Sequence, residues 1–223
     1  MLSRYLTLGA AGCVLLTSGA AVAQVSRLSA TSQGQAPSSS ALPYKEVLPF
    51  AEDKRVVNVF ITFDCPYSFL YDTMLWQWGR DLPKGWRLEF TPVFTKEPSS
   101  FAAIKTFYAV KKADRIKLEL FMNKAYVALQ TEKRNPMEEQ TWIDIVRSAG
   151  VDWEKFTTAW GSLADSGALV SPSVKRADHY GLEVTPSIAI DGRYIISPEN
   201  TNGNPELFIQ LLNGMVSKAA GYA

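Results

Sequence analysis

The amino-acid sequence predicts an α/β fold in which a helical block interrupts a frame of strands and helices. Residues 56–63 form a near-continuous β-branched and aromatic run, as expected of a central strand covered on both faces. Between residues 99 and 167, apolar side chains recur at three- and four-residue spacing, the period of helices. Further on, Thr185-Pro186 leads into a short apolar stretch and an Asp191-Gly192 turn, a strong hairpin signal. The predicted order is strand-helix-strand, helical block, then helix-strand-strand-helix.

The bulk properties allow this frame and name no partner. A chain of 223 residues with 47% hydrophobic content can bury a real core. Its formal charge is +1, with acidic and basic residues interleaved, so nothing builds the one-sided basic field that nucleic acid requires.

At the N-terminus, Arg4 precedes an apolar stretch over residues 6–16, and small residues lead to Ala21-Val22-Ala23. This is the pattern of a cleaved secretory signal over residues 1–23, too short to span a bilayer. The expected location is the periplasm or the exterior, without stable membrane insertion after cleavage. Ala10-Ala11-Gly12-Cys13 only loosely resembles a lipobox, since a small alanine stands where a larger aliphatic residue is usual. Residues 24–43, rich in Ser, Ala and Gln, read as a flexible leader. Removal of residues 1–23 leaves equal numbers of acidic and basic residues and a single thiol, Cys65.

The elements follow in order. A short edge segment is expected through Leu48-Pro49-Phe50, then the central strand. The chain turns at Asp64-Cys65-Pro66, and residues 69–78 read as a helix, with Pro66 suited to its first turn because its fixed φ fits there. Residues 86–94 return as a second strand, making a right-handed parallel crossover. Helices are predicted at 101–111, 115–131, 139–149 and 153–163, then at 173–180 ending on Gly181. Strands at 187–190 and 194–196 and a closing helix at 205–218 complete the fold.

The chemistry concentrates in Cys65-Pro66-Tyr67-Ser68, placed where a buried strand gives way to a helix. A sulfur at that point faces unpaired backbone N–H groups and the positive end of the helix dipole, which favour thiolate by about 0.3–1 kcal/mol. Asp64 next door opposes this, because a neighbouring carboxylate disfavours the anion. An unpaired exported cysteine is either a reactive thiol or a buried small apolar residue. The second feature is Val184-Thr185-Pro186 at a strand start, where a proline needs a reason and a cis peptide bond would supply one.

Together these features resemble the DsbA-like members of the thioredoxin superfamily over roughly residues 55–215. The resemblance rests on the strand running into C-P-x-x, the helical insertion, the Gly181-x-x-x-Thr185-Pro186 approach and the D-G-x-Y hairpin at 191–194. It implies a thioredoxin-like domain over residues 44–97 and 170–219, with an inserted helical domain over 98–169. It further implies Cys65 as nucleophile, Pro66 and Tyr67 as motif residues of the active-site helix, and Thr185-Pro186 as the loop facing an extended substrate. The departure is Ser68, which stands where the family's usual motif has its second cysteine. A serine cannot resolve a mixed disulfide or store an oxidising one. The expectation is therefore a thiol–disulfide oxidoreductase or isomerase working through one cysteine, with cysteine-containing exported proteins or glutathione as its partners. Ser68 is placed in the catalytic set either as a hydrogen-bond donor to the Cys65 thiolate or as an ordinary residue of the helix start.

Two other readings compete. Pro66-Tyr67-Ser68-Phe69-Leu70 also resembles a segment of kappa-class glutathione transferases and 2-hydroxychromene-2-carboxylate isomerases, where a serine replaces Cys65. Alternatively, the fold is a non-catalytic scaffold or chaperone in an envelope assembly. No resident cofactor is expected, glutathione entering only as a co-substrate. No metal site is expected either, since His179 is the only histidine and has no cysteine nearby. The six tryptophans (Trp76, Trp78, Trp86, Trp142, Trp153, Trp160) read as packing residues.

Overall fold

The computed structural model describes residues 42–95, 97–163 and 166–222, which belong to the unit over Ala41–Ala223. The signal segment, Cys13 and the leader up to residue 41 lie outside the described residues.

Five strands form one mixed sheet in the order β1-β5-β4-β2-β3: β1 (Lys45–Glu46), β2 (Val56–Ile61), β3 (Arg87–Pro92), β4 (Ser187–Ile190) and β5 (Tyr194–Ile196). β2 runs parallel to β3, with Val59 opposite Phe90, and antiparallel to β4, with Val59 opposite Ile188. Every residue of β2 is buried, as its unbroken apolar run requires. Alternation along the strand sends Val57, Val59 and Ile61 to one face and Phe60 to the other. The first face meets α1 (Pro66–Gly79), the helices of the insertion and α7 (Pro205–Ala220). The second carries a smaller cluster of Phe50, Phe60, Tyr180, Ala189 and Ile195 under α6 (Ser166–Tyr180).

The insertion supplies α2 (Ser99–Ala113), α3 (Leu118–Tyr126), α4 (Glu139–Ser148) and α5 (Trp153–Ser162). Its core is continuous with that of the sheet. Phe63, just past β2, packs edge-on against Phe121 and Trp142 at centroid distances of 6.1 and 6.0 Å, and tilts against Tyr126 at 5.2 Å. The insertion therefore builds the wall beside the strand-to-helix turn. Among the tryptophans only Trp142 is fully buried; the other five pack while keeping some surface in contact with solvent.

Several boundaries differ from the sequence expectations. The edge strand is Lys45–Glu46, and Leu48-Pro49-Phe50 is not a strand. Proline removes a ladder donor, and Phe50 instead anchors a short 3-10 turn over Ala51–Asp53. Helix α1 begins at Pro66, three residues earlier than expected, so Cys65 itself is the N-cap. The helix expected at 115–131 divides into a 3-10 turn (Arg115–Lys117), α3 and a π-helical turn (Val127–Thr131), which share its apolar spacing but not its winding. Helix α6 starts at Ser166, with Pro172 inside it, so it crosses the boundary expected between residues 169 and 170.

Candidate active site

Cys65 caps α1 with extended backbone, φ −78° and ψ 118°, and its side chain is half-buried. The Sγ–H donates to the Thr185 carbonyl oxygen across 3.0 Å, joining positions 120 residues apart. The Thr185-Pro186 peptide bond is cis, and Thr62 Oγ1 lies 3.4 Å from Thr185 Oγ1, which ties the same loop to the end of β2. The structure therefore brings Cys65 and the Thr185-Pro186 loop together.

Two cavities flank this point. One, of about 330 Å³, lies between Tyr67, Val184, Thr185, Pro186 and the Pro198–Gly203 loop. Tyr67, which lines this cavity, is exposed, as is Leu70 one turn further along α1. Tyr71 fixes the opposite wall by donating its hydroxyl hydrogen to the Gly203 carbonyl at 2.9 Å. The other cavity, of about 420 Å³, borders Asp64, Pro66 and Phe63 on one side and Leu129, Gln130 and Trp142 of the insertion on the other.

Ser68 Oγ makes no hydrogen bond to the sulfur. Its side chain is buried. One turn further along the same face come Asp72 and then Trp76, opposite the buried Tyr126 hydroxyl. Ser68 Oγ, Asp72 Oδ1, Trp76 Nε1 and Tyr126 OH all lack an aligned hydrogen-bond partner among the described residues. Burial, reinforced by the charge of Glu119, pushes the Asp72 carboxyl up to about 7, with the nearby Trp76 indole pulling the other way. Burial also raises the Tyr126 hydroxyl, and Asp72 and Cys65 add to that rise.

Gln130, Asp72 and the Pro198–Gly203 loop carry no mark in the sequence. Gln130 sits in an apolar-periodic stretch with nothing to set it apart. His179 lies away from the site, its Nε2 2.8 Å from the Leu48 carbonyl and its ring against Phe50.

The family model of the DSBA-like thioredoxin domain matches residues 80–208, and the chain belongs to that family. The match covers the insertion and the Thr185-Pro186 loop and begins beyond the Cys65 turn. Among curated relatives, the thiol:disulfide interchange protein DsbA of Burkholderia cepacia is 25% identical, over 68% of this chain and 70% of that protein. The protein of the same name from Salmonella typhi is 26% identical, over 73% and 78%. The crystal structure of Pseudomonas aeruginosa DsbA superposes with a TM-score of 0.67 at 18% identity, covering 81% of this chain and 93% of that one. A Proteus mirabilis DsbA variant solved with the non-covalently bound peptide PWATCDS gives 0.66 at 18% identity, covering 79% and 94%. The fold is thus DsbA-like thioredoxin.

Proposed function

We propose that this protein is an exported thiol–disulfide oxidoreductase or isomerase that works through Cys65 alone. The observation that carries the reading is the half-buried Cys65 at the N-cap of α1, with its Sγ 3.0 Å from the Thr185 carbonyl beside cis-Pro186. The relatives named as thiol:disulfide interchange proteins support the class of reaction.

The Cys65 thiolate attacks one sulfur of a substrate disulfide. A Cys65–substrate disulfide forms, the substrate S–S bond breaks, and the leaving thiolate takes a proton from water. Ser68 has no sulfur with which to resolve this adduct. A second thiolate, from the substrate or from glutathione, attacks instead, forming a new disulfide and returning the Cys65 thiolate. Disulfides are exchanged without net oxidation, so no resident cofactor is required. The cleft between Tyr67, Pro186 and the Pro198–Gly203 loop suits an extended peptide carrying the reacting cysteine, with the Thr185 backbone alongside it. Proteins with exposed cysteines are the proposed substrates, and the exported location rests on the signal pattern of residues 1–23.

The test is incubation of the mature protein with oxidised glutathione, acid trapping and mass spectrometry. One adduct confined to Cys65, and absent in Cys65→Ser, is expected. A native Cys65 that takes up neither glutathione nor an alkylating agent would sink the proposal.

A further inference from the structure

Among the described residues, one side chain of the insertion hydrogen-bonds to the strand-to-helix turn that presents Cys65. Gln130, in the π-helical turn Val127–Thr131, donates from Nε2 to the Phe63 carbonyl at 2.9 Å and to the Cys65 carbonyl at 3.0 Å. Both partners are acceptors, so only the amide nitrogen, with its two hydrogens, can serve them together. The Phe63 carbonyl has no other donor among the described residues, and Phe63 is itself buried. Among the described residues, the Cys65 carbonyl otherwise accepts only the Phe69 N–H, at 3.2 Å. Gln130 thus grips the turn on both sides of exposed Asp64, from the wall of the 420 Å³ cavity.

From this geometry we infer that Gln130 is a positioning residue for the thiol reaction, through which the helical insertion fixes the direction of the Cys65 sulfur. The Cys65 carbonyl and its side chain share one Cα. Holding the carbonyl therefore holds the N-cap backbone that aims Sγ at Thr185. The winding of the insertion supports this role. The backbone N–H groups of Glu132 and Arg134 bond to Val127 and Ala128, five and six residues back, and this widened turn directs Gln130 onto the strand-to-helix junction. Tyr126, four residues earlier, packs on Phe63 and stacks on Phe69 at 5.3 Å, so the amide sits on a rigid support.

The inference rests on Cys65 being the reacting thiol, and its test separates the two ideas. The rate of mixed-disulfide formation with oxidised glutathione is measured against pH for wild type, Gln130→Leu and Gln130→Glu, with circular dichroism to confirm folding. Gln130→Leu should react roughly tenfold more slowly throughout, since the turn loses its anchor. Gln130→Glu can donate one O–H while protonated, but presents a charge to two carbonyl oxygens once ionised. Its rate relative to wild type should therefore fall as pH rises through the carboxyl's titration. A purely structural role would lower both rates without adding this step. If Gln130→Leu does not fold, the same comparison is made within Gln130→Glu at low and high pH. Wild-type rates in both variants, or a Gln130→Glu profile parallel to wild type, would overturn the inference while leaving the Cys65 chemistry intact. An unreactive wild-type Cys65 would overturn both.

Discussion

Cys65 and Ser68 occupy the N-cap and third residues of one helix, yet their side chains diverge: the sulfur meets the Thr185 carbonyl at 3.0 Å, while the hydroxyl turns into the core. Positions three apart on a helix have Cα atoms about 5 Å apart, inside the roughly 4.4–6.8 Å that a disulfide spans, so a small adjustment at the helix start brings the two Cβ atoms into bonding range. Ser68→Cys is therefore expected to close an internal disulfide with Cys65 and to oxidise a reduced dithiol peptide, which the wild type should not do alone. Thiol counting on air-oxidised Ser68→Cys checks this, and two free thiols would count against it.

Asp72 makes folding stability depend on pH. Its carboxyl titrates at about 7 when folded, against 3.8 as the ordinary value. Between these values the folded state keeps a proton that the unfolded chain has released, so stability falls as pH rises from about 4 to about 7. The loss amounts to at most about 4 kcal/mol, at 1.36 kcal/mol per pK unit. Asp72→Asn should match wild type near pH 4 and exceed it by about 2 kcal/mol near pH 8. Urea midpoints at the two pH values measure the difference, and parallel pH curves would exclude it.

Asp53 is the hub of the opposite face of the sheet. It receives Arg176 through Nε and a terminal guanidinium nitrogen, and the Tyr180 hydroxyl at 2.6 Å, while being itself buried. Asp53→Ala should cost about 3 kcal/mol, because it strands the Arg176 charge without its main partner. The alkylation rate of Cys65 in the folded protein should not change, since α1 packs on the other face. Denaturant titration beside alkylation kinetics reads both quantities.

Two glycines should respond in opposite directions. Gly192 has φ +69°, and a Cβ there would collide with the Phe50 backbone carbonyl. Gly192→Ala is expected to destabilise by about 2 kcal/mol. Gly214, within α7, has open space where its Cβ would stand, and Gly214→Ala should stabilise by roughly 0.5–1 kcal/mol. Thermal melts of the pair provide the comparison.

The frame was legible wherever side-chain pattern and backbone state coincide. The β2 run, the strands Ser187–Ile190 and Tyr194–Ile196, and the Asp191-Gly192 turn appear where apolar stretches and a turn dipeptide put them. The first strand was not legible, because Lys45 and Glu46 are polar and pair with β5 through backbone groups alone. Pro172 hid the start of α6, since a proline usually ends a helix. At the site, Cys65 and Thr185-Pro186 carried recognisable local signatures. Gln130 and Asp72 carried none, because their roles arise from contacts made across the fold: Gln130 reaches carbonyls 65 and 67 residues away, and Asp72 is unusual only once it is buried.

The long sequence separation between the sulfur and its carbonyl partner has a consequence for the order of events at birth. The chain is made N-terminus first, at about 5–20 residues per second. Cys65 thus emerges about 6–24 s before Thr185, given the 120 residues between them. During that interval the nascent thiol has neither its loop nor the insertion's amide around it and reacts as any unfolded cysteine does. Newly made protein is accordingly most exposed to mispairing before residue 185 arrives, and pulse-labelled chains should carry more adventitious thiol adducts than mature ones.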